Sequence, residues 1–253
     1  MPSGSESALT TTFSPESIKV IACQTVIEEM LPHMPPGMRY EVLDFGLHRA
    51  PGALRQSLQE AIDNAGPGVE AVVLGYGLCA MAVVGLEARE RTLILPRMDD
   101  CIGIFLGSGE AYRQQAAREP GTYYLTKGWI EVNDTPLDEY RRMEERYGAE
   151  RAQRMMRLLL KNYTRIAYID TGHQDQQKYR AYAQEVARRF DLKYEEIPGS
   201  DRLVRRMLAG PWDDDSFVIV PPGERVIYSA FKTTTTTTSN LNLLSLGTPL
   251  SHG

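Results

Sequence analysis

The sequence has few cysteines, and they are not arranged in pairs. Only three occur among its 253 residues, and no two of them form a Cys-x-x-Cys motif. A disulfide framework and a zinc ribbon or knuckle are therefore not expected. Gly-x-Gly-x-x-Gly and P-loop patterns are also absent, so nothing in the sequence supports nucleotide binding.

Long apolar runs and an excess of basic residues are lacking as well. No apolar run approaches the roughly 20 residues that a membrane-spanning helix needs. The net charge of −5 argues against a nucleic-acid-binding surface, which requires a concentrated basic face. A hydrophobic share of 42% and a charged share of 24% are ordinary for a soluble globular chain. We therefore expect a soluble protein with neither a membrane nor a nucleic acid as its partner.

What the sequence does contain is a repeated alternation of strands and helices. The first four strands are predicted at residues 18–22, 40–45, 71–74 and 92–96. Helical patterns separate them, and this order predicts a mainly parallel, doubly wound sheet. The same alternation returns in the C-terminal part of the chain. We therefore predict an α/β protein of two Rossmann-like lobes, with mainly parallel sheets, joined by a long helix.

The predicted organisation has five parts. They are a flexible lead at residues 1–15, a first α/β lobe at 16–135, a connecting helix at 136–162, a second α/β lobe at 163–231 and a low-complexity tail at 232–253. The lead is rich in serine and threonine and lacks a basic start and an apolar stretch, so it is not expected to be a secretory signal. With unpaired cysteines, this predicts a cytoplasmic protein.

Each cysteine follows an apolar run that has the pattern of a buried strand. Cys23, Cys79 and Cys101 come after the first, third and fourth strands, and His48 follows the second. Functional groups of parallel α/β sheets gather at the carboxyl ends of the strands, so these four side chains are expected to meet in one crevice. Thiolates and imidazole together favour a soft metal ion such as zinc. The plainer alternative is that the cysteines are small core residues without a metal.

Three thiolates around one metal leave more than one chemistry open. Zinc bound by the three cysteines would be a poor Lewis acid, but it would leave a bound thiol strongly nucleophilic, which suits methyl or alkyl transfer to sulfur. The same cysteines could instead hold a [4Fe–4S] cluster whose fourth iron is open to substrate. His48 is either the fourth ligand or an acid or base group. A non-catalytic metal or corrinoid carrier, or an accessory protein of a methyltransferase, is a third hypothesis.

Five further side chains are candidate site residues. Asp99 and Asp100 directly precede the third cysteine and could act as general acid or base groups, or could cap a helix. Tyr76 could line the pocket, and Arg97 could hold an anionic small-molecule substrate. His173 lies on a predicted loop of the second lobe, where a cleft between lobes would bind a ligand.

Taken together, the motifs resemble those of one family. They are Cys23, Leu47-His48, Tyr76-Gly77-Leu78-Cys79, Pro96-Arg97-x-Asp99-Asp100-Cys101, Gly107-Ser108, Tyr124-Leu125-Thr126-x-Gly128-Trp129, Asp170-Thr171-Gly172 and Pro221-Pro222-Gly223. This combination resembles the domain-of-unknown-function 1638 family over roughly residues 18–223. Members of that family are often associated with corrinoid-dependent methyl-transfer systems. The resemblance therefore implies a role near one-carbon chemistry, with a corrinoid protein or a methyltransferase as a partner.

Overall fold

The computed structural model of the protein describes residues 13–79, 81–213 and 215–232. Most of the predicted lead, up to residue 12, and the predicted tail from residue 233 lie outside the described residues. Strands and helices alternate through the described part and form two sheets with mainly parallel strands. The predicted α/β class is therefore confirmed.

The first sheet has five strands in the order β2-β1-β3-β4-β8. They are β1 (Ile18–Cys23), β2 (Arg39–Leu43), β3 (Ala71–Leu74), β4 (Thr92–Pro96) and β8 (Phe217–Val220). The first four are parallel, and β8 runs antiparallel to β4. Every residue of β1 and β3 is buried, as expected for central strands covered on both faces. The chain order reverses at β1, which has β2 on one side and β3 on the other, so a ligand-binding crevice is expected at the carboxyl ends of these strands.

Five helices follow the strands of this first part of the chain. They are α1 (Gln24–Met30), α2 (Pro51–Asp63), α3 (Ile102–Phe105), α4 (Gly109–Arg118) and α5 (Lys127–Glu131). In α2, Pro51 occupies the first turn, where its missing N–H removes no hydrogen bond. Leu54, Leu58 and Ile62 form the buried face of this helix, as their spacing predicted.

The second sheet has three parallel strands in the order β5-β6-β7. They are β5 (Thr122–Leu125), β6 (Arg165–Asp170) and β7 (Lys193–Pro198), accompanied by α8 (Gln176–Arg189) and α9 (Arg202–Ala209). Strand β5 lies here although the sequence placed it in the first lobe, and β8 lies in the first sheet although the sequence placed it in the second. Ala167 of β6 and Ile197 of β7 also pack into the same hydrophobic core as the first sheet. The predicted two-lobe arrangement is therefore not confirmed.

The single long connecting helix predicted over residues 136–162 is wrong. Two helices, α6 (Pro136–Tyr147) and α7 (Ala149–Leu159), occupy this segment and pack against each other. Gly148 separates them with φ 79° and ψ 157°, a conformation that is essentially restricted to glycine. The segment is charged and periodic and contains a single glycine. The sequence alone therefore does not show whether one helix continues through that glycine or two helices meet at it.

None of the helices in the described part of the chain is long and apolar enough to cross a membrane.

Candidate metal centre

Three of the four predicted ligands meet beyond the carboxyl ends of the strands of the first sheet. One ligand atom from each of His48, Cys79 and Cys101 lies within 4.8 Å of the other two. Cys101 is buried, and the other two residues are half-buried. Zinc binds sulfur at about 2.3 Å and nitrogen at about 2.0 Å, so ligands of one ion lie roughly 4 Å apart. The observed group is close to this spacing.

His48 is positioned by the short 3-10 helix Phe45–Arg49 that follows β2. The Asp44 side chain caps this turn by accepting a hydrogen bond from the Gly46 N–H at 2.7 Å. His48 Nδ1 lies 2.9 Å from the carbonyl oxygen of Phe45. A carbonyl can only accept, so Nδ1 carries a proton, and Nε2 is the nitrogen left for a ligand bond. Metal-binding histidines commonly make this kind of backbone contact.

Cys79 and Cys101 are brought together by hydrogen bonds between the loops after β3 and β4. The Leu78 N–H donates to the carbonyl of Met98 at 2.9 Å, and the Cys79 N–H donates to that of Asp99 at 3.3 Å. Cys79 itself has φ 43°, a left-handed conformation that is uncommon for a non-glycine residue. The paired loops thus hold the two sulfur atoms on adjacent strand ends.

The two sulfur atoms differ in protonation. Hydrogen bonding from the Cys101 thiol and the nearby His48 lower the pKa of Cys79 to about 6, despite the opposing effect of burial. The contact with Cys79 and complete burial raise the pKa of Cys101 well above its ordinary value. The pair therefore holds one thiolate at neutral pH, which is the form of cysteine that binds a metal ion.

The structure does not bring Cys23 into this group. Cys23 ends β1, as predicted, but its Sγ contacts Thr25 Oγ1 at 3.1 Å and is not among the atoms that lie within 4.8 Å of one another. Burial raises the pKa of its thiol, with a smaller effect in the same direction from Cys79. The sequence correctly placed Cys23 at the carboxyl end of a strand. Its contact with Thr25 depends on how α1 begins, which the sequence pattern did not predict.

The two aspartates before Cys101 have different surroundings. Asp99 has an exposed side chain, and its backbone carbonyl is the part that joins the loops. Asp100 Oδ1 accepts a hydrogen bond from the Ile102 N–H at 2.8 Å, at the start of α3. Asp100 thus contacts the first residue of α3, whose N-cap residue is Cys101, and a catalytic role for either aspartate stays a prediction.

Arg97 is engaged by the backbone of neighbouring segments. Its guanidinium donates to the carbonyl of Phe217 in β8 at 3.1 Å and also to the carbonyl of Ala230. These bonds attach the C-terminal segment of the described chain to β4. A role for Arg97 in substrate binding stays a prediction.

His173 lines a separate cavity of about 550 Å³ beside the carboxyl ends of β6 and β7. Its Nε2 lies 2.8 Å from Glu29 Oε1, and the Thr171 hydroxyl donates to the same oxygen at 3.0 Å. The hydrogen bond from His173 to Glu29 raises the pKa of the imidazole. This contact joins α1, at the first sheet, to the loop after β6.

We expect Glu29→Gln to change the pH dependence of stability. Because the folded-state pKa of His173 is raised, the ion pair stabilises the protein fully below the unfolded pKa of about 6.5, and the effect is lost as pH rises through the folded value. The variant should therefore be less stable than the wild type at about pH 5.5, by less than about 1 kcal/mol because solvent screens the pair, with little difference at about pH 8.5.

Urea denaturation at the two pH values tests this expectation. Glu28→Gln is the matched control, because Glu28 pairs with Lys127, whose amine stays charged over this range. Equal destabilisation of Glu29→Gln at both pH values would contradict the assigned contact.

The sequence did not connect Phe45 and Trp129, the aromatic wall of the centre, with the predicted ligands. Phe45 stacks on His48 with ring centroids 5.0 Å apart, and Trp129 meets Phe45 edge-on at 5.6 Å. Phe45 and His48 are three residues apart, and this spacing predicts that their rings meet only if the segment is assumed to be a 3-10 turn. Trp129 belongs to α5, and only the tertiary structure brings it to this place.

Two polar atoms at the centre lack a hydrogen-bond partner. Five buried side-chain atoms are unpartnered within the residues that the structure describes, and His48 Nε2 and the Tyr76 hydroxyl are two of them. Such atoms are rare in folded proteins because each costs about 1–3 kcal/mol. The rings that carry these two atoms lie next to each other, with centroids 5.8 Å apart.

Comparison with known proteins gives one match. A family model described as "Protein of unknown function (DUF1638)" matches residues 42–208, which include His48, Cys79 and Cys101 and begin after Cys23. No curated protein and no solved structure is significantly similar to the chain. Because the match covers more than half of the 253 residues, the chain belongs to the DUF1638 family.

Proposed function

We propose that this chain is a metalloenzyme that binds a thiophilic metal ion, zinc in the first place, through His48, Cys79 and Cys101. The observation that carries the proposal is the approach of one nitrogen and two sulfur atoms to within 4.8 Å of one another. Two cysteines and a histidine are a donor set of zinc sites, whereas Mg²⁺ and Ca²⁺ prefer oxygen. The three ligands follow different strands, at an edge of the sheet where α/β proteins bind their ligands.

The state of His48 supports the same proposal. Its Nδ1 proton is held by the Phe45 carbonyl, which leaves Nε2 as the nitrogen for a metal bond. That nitrogen is buried and has no hydrogen-bond partner among the described residues. A metal ion at Nε2 removes a cost of about 1–3 kcal/mol that the unpartnered atom otherwise imposes.

Three protein ligands favour a catalytic site over a structural one. Structural zinc has four protein ligands, whereas catalytic zinc keeps a position open for water or substrate. Zinc with two thiolates and a neutral imidazole has no net charge. A substrate thiol that enters the open position can therefore bind as thiolate, releasing its proton to solvent. Cys23 as a fourth protein ligand is the alternative assignment, and the two assignments differ in whether this position is open.

The reaction that we propose is methyl or alkyl transfer to the sulfur of such a thiol. The thiolate sulfur attacks the carbon to be transferred, a C–S bond forms, and the electron pair of the breaking bond leaves with the donor. With a methylated corrinoid protein as partner, the bond that breaks is carbon–cobalt, and its electron pair remains on cobalt. Reduced thiols require a reducing compartment, so we place the reaction in the cytoplasm.

Metal analysis of protein purified without oxygen tests the proposal. We expect about one zinc per chain and no visible absorption. Brown protein that contains iron and acid-labile sulfide would instead support the [4Fe–4S] alternative. Wild-type protein that holds no metal, even after incubation with Zn²⁺ or Co²⁺, would refute the metal centre. Repeated methylation of a simple thiol by the protein would distinguish the enzyme hypothesis from that of a non-catalytic carrier.

A further inference from the structure

Tyr76 lies in the buried turn between β3 and Cys79. Its side chain is fully buried, and its ring centroid lies 5.8 Å from that of His48. Burial raises the pKa of Tyr76, and Cys23, Cys79 and Cys101 are all close enough to raise it further. The phenol ring thus lies beside the imidazole of the proposed centre.

The Tyr76 hydroxyl has no hydrogen-bond partner within the part of the chain that the structure describes. A phenylalanine would fill the same space without this penalty, since an unpartnered buried hydroxyl costs about 1–3 kcal/mol. His48 Nε2, on the neighbouring ring, is unpartnered too. An occupant of the centre must therefore satisfy two groups of opposite character. His48 Nε2 needs a partner that accepts its lone pair, and the Tyr76 O–H needs a hydrogen-bond acceptor.

A metal ion by itself satisfies only the first of these atoms. His48 Nε2 becomes a ligand, but a cation offers no acceptor to the O–H of a phenol. The acceptor must be an atom that is bound to the metal and carries lone pairs. In a centre with three protein ligands, that atom occupies the open position.

We infer that the Tyr76 hydroxyl donates a hydrogen bond to the exogenous atom at the open position of the metal centre, which in the proposed reaction is the thiolate sulfur of the substrate. This inference rests on the proposed function and deepens it. A third thiolate gives the buried centre a net negative charge, and a hydrogen bond to a charged acceptor offsets part of that cost. Tyr76 therefore favours ligands that bind as small anions, namely thiolates and hydroxide.

The test uses the full chain with Co²⁺ in the centre and 2-mercaptoethanol as the probe. Absorption from sulfur-to-cobalt charge transfer reports both the protein thiolates and the added thiol. Tyr76→Phe should bind Co²⁺ with unchanged stoichiometry and bind 2-mercaptoethanol about 10- to 100-fold more weakly, as expected for the loss of a hydrogen bond to a charged atom.

Tyr124→Phe is the matched control. Its hydroxyl is also buried and unpartnered among the described residues, but Tyr124 belongs to β5 of the second sheet. This variant should bind the thiol as the wild type does. Both metal-free variants are expected to unfold at a temperature no lower than that of the metal-free wild type, because each loses only an unpartnered hydroxyl.

The outcomes separate the inference from the function on which it rests. Equal thiol affinity of the wild type and Tyr76→Phe, with Co²⁺ bound to both, would overturn the inference and leave the metal centre in place. Loss of Co²⁺ from Tyr76→Phe would also overturn it, because the phenol would then support the protein ligands. A clear loss of stability in the metal-free Tyr76→Phe variant would show that the hydroxyl already has a partner. Failure of the wild type to bind Co²⁺ would refute both.

Discussion

Cys79→Ser should lower the affinity of the protein for zinc by more than about a hundredfold, since even changes outside the ligand set commonly cost 10- to 100-fold. Cys79 is the residue whose pKa is lowered to about 6, so at neutral pH it would offer the metal a thiolate. A serine hydroxyl at the same place stays protonated at neutral pH and is a poor zinc ligand. Competition with a coloured zinc chelator measures the effect.

Cys23→Ser is the control that makes this result specific. It is the same chemical change at another buried cysteine that ends a strand, and Thr25 Oγ1 remains as a hydrogen-bond partner for the new hydroxyl. Zinc affinity should stay within a few-fold of the wild-type value, because Cys23 is outside the group of three. If both variants lose zinc equally, Cys23 is a fourth ligand and the open position does not exist.

Gly77→Ala should damage the fold and the centre together. A Cβ at Gly77 would lie 2.8 Å from the carbonyl oxygen of Met98 and 3.0 Å from the Cγ atom of the Met98 side chain. That oxygen accepts the hydrogen bond from Leu78 that joins the loops of Cys79 and Cys101. We expect the free energy of unfolding to fall by about 1–3 kcal/mol, as for other overpacked sites. Zinc affinity should fall with it, because the two sulfur atoms would be moved apart.

A second glycine provides the comparison for this variant. Gly52 lies in α2, and a Cβ there would meet nothing within 4 Å. Gly52→Ala should raise the free energy of unfolding by up to about 1 kcal/mol, since alanine has the higher helix propensity, and should leave zinc affinity unchanged. Urea denaturation of both variants, with zinc titration of each, gives the two measurements. A Gly77→Ala protein that matches the wild type in both would show that the loops are not held together as the structure has them.

Together, these experiments test an arrangement in which the fold places the ligands. None of the three proposed ligands is close to another in sequence, so no local motif would hold the metal. His48 depends on a 3-10 turn after β2, and Cys79 and Cys101 depend on paired loops after β3 and β4. A site of this kind has its ligands on the loops of a crevice, where a substrate can reach the metal. This is the physical basis for proposing a reactive centre and not a structural one.

The amino-acid sequence by itself determined the strands and the positions of the thiols relative to them. Continuous apolar runs such as residues 71–74 predict central strands, because only a strand covered on both faces buries every side chain. The spacing of Leu54, Leu58 and Ile62 determined the buried face of α2 in the same way. These features depend on neighbours within a few residues, so a sequence pattern is sufficient to predict them.

Only the tertiary structure decided which of the predicted ligands meet. Cys23 and Cys79 both follow buried strands, yet Cys23 contacts Thr25 while Cys79 lies beside Cys101 and His48. It also decided that β5 and β8 join sheets other than the ones the sequence assigned to them. Strand pairing and side-chain convergence depend on contacts between residues far apart along the chain, and these leave no periodic pattern in the sequence of one protein. The convergence on which the proposed metal centre depends is therefore a property of the folded chain.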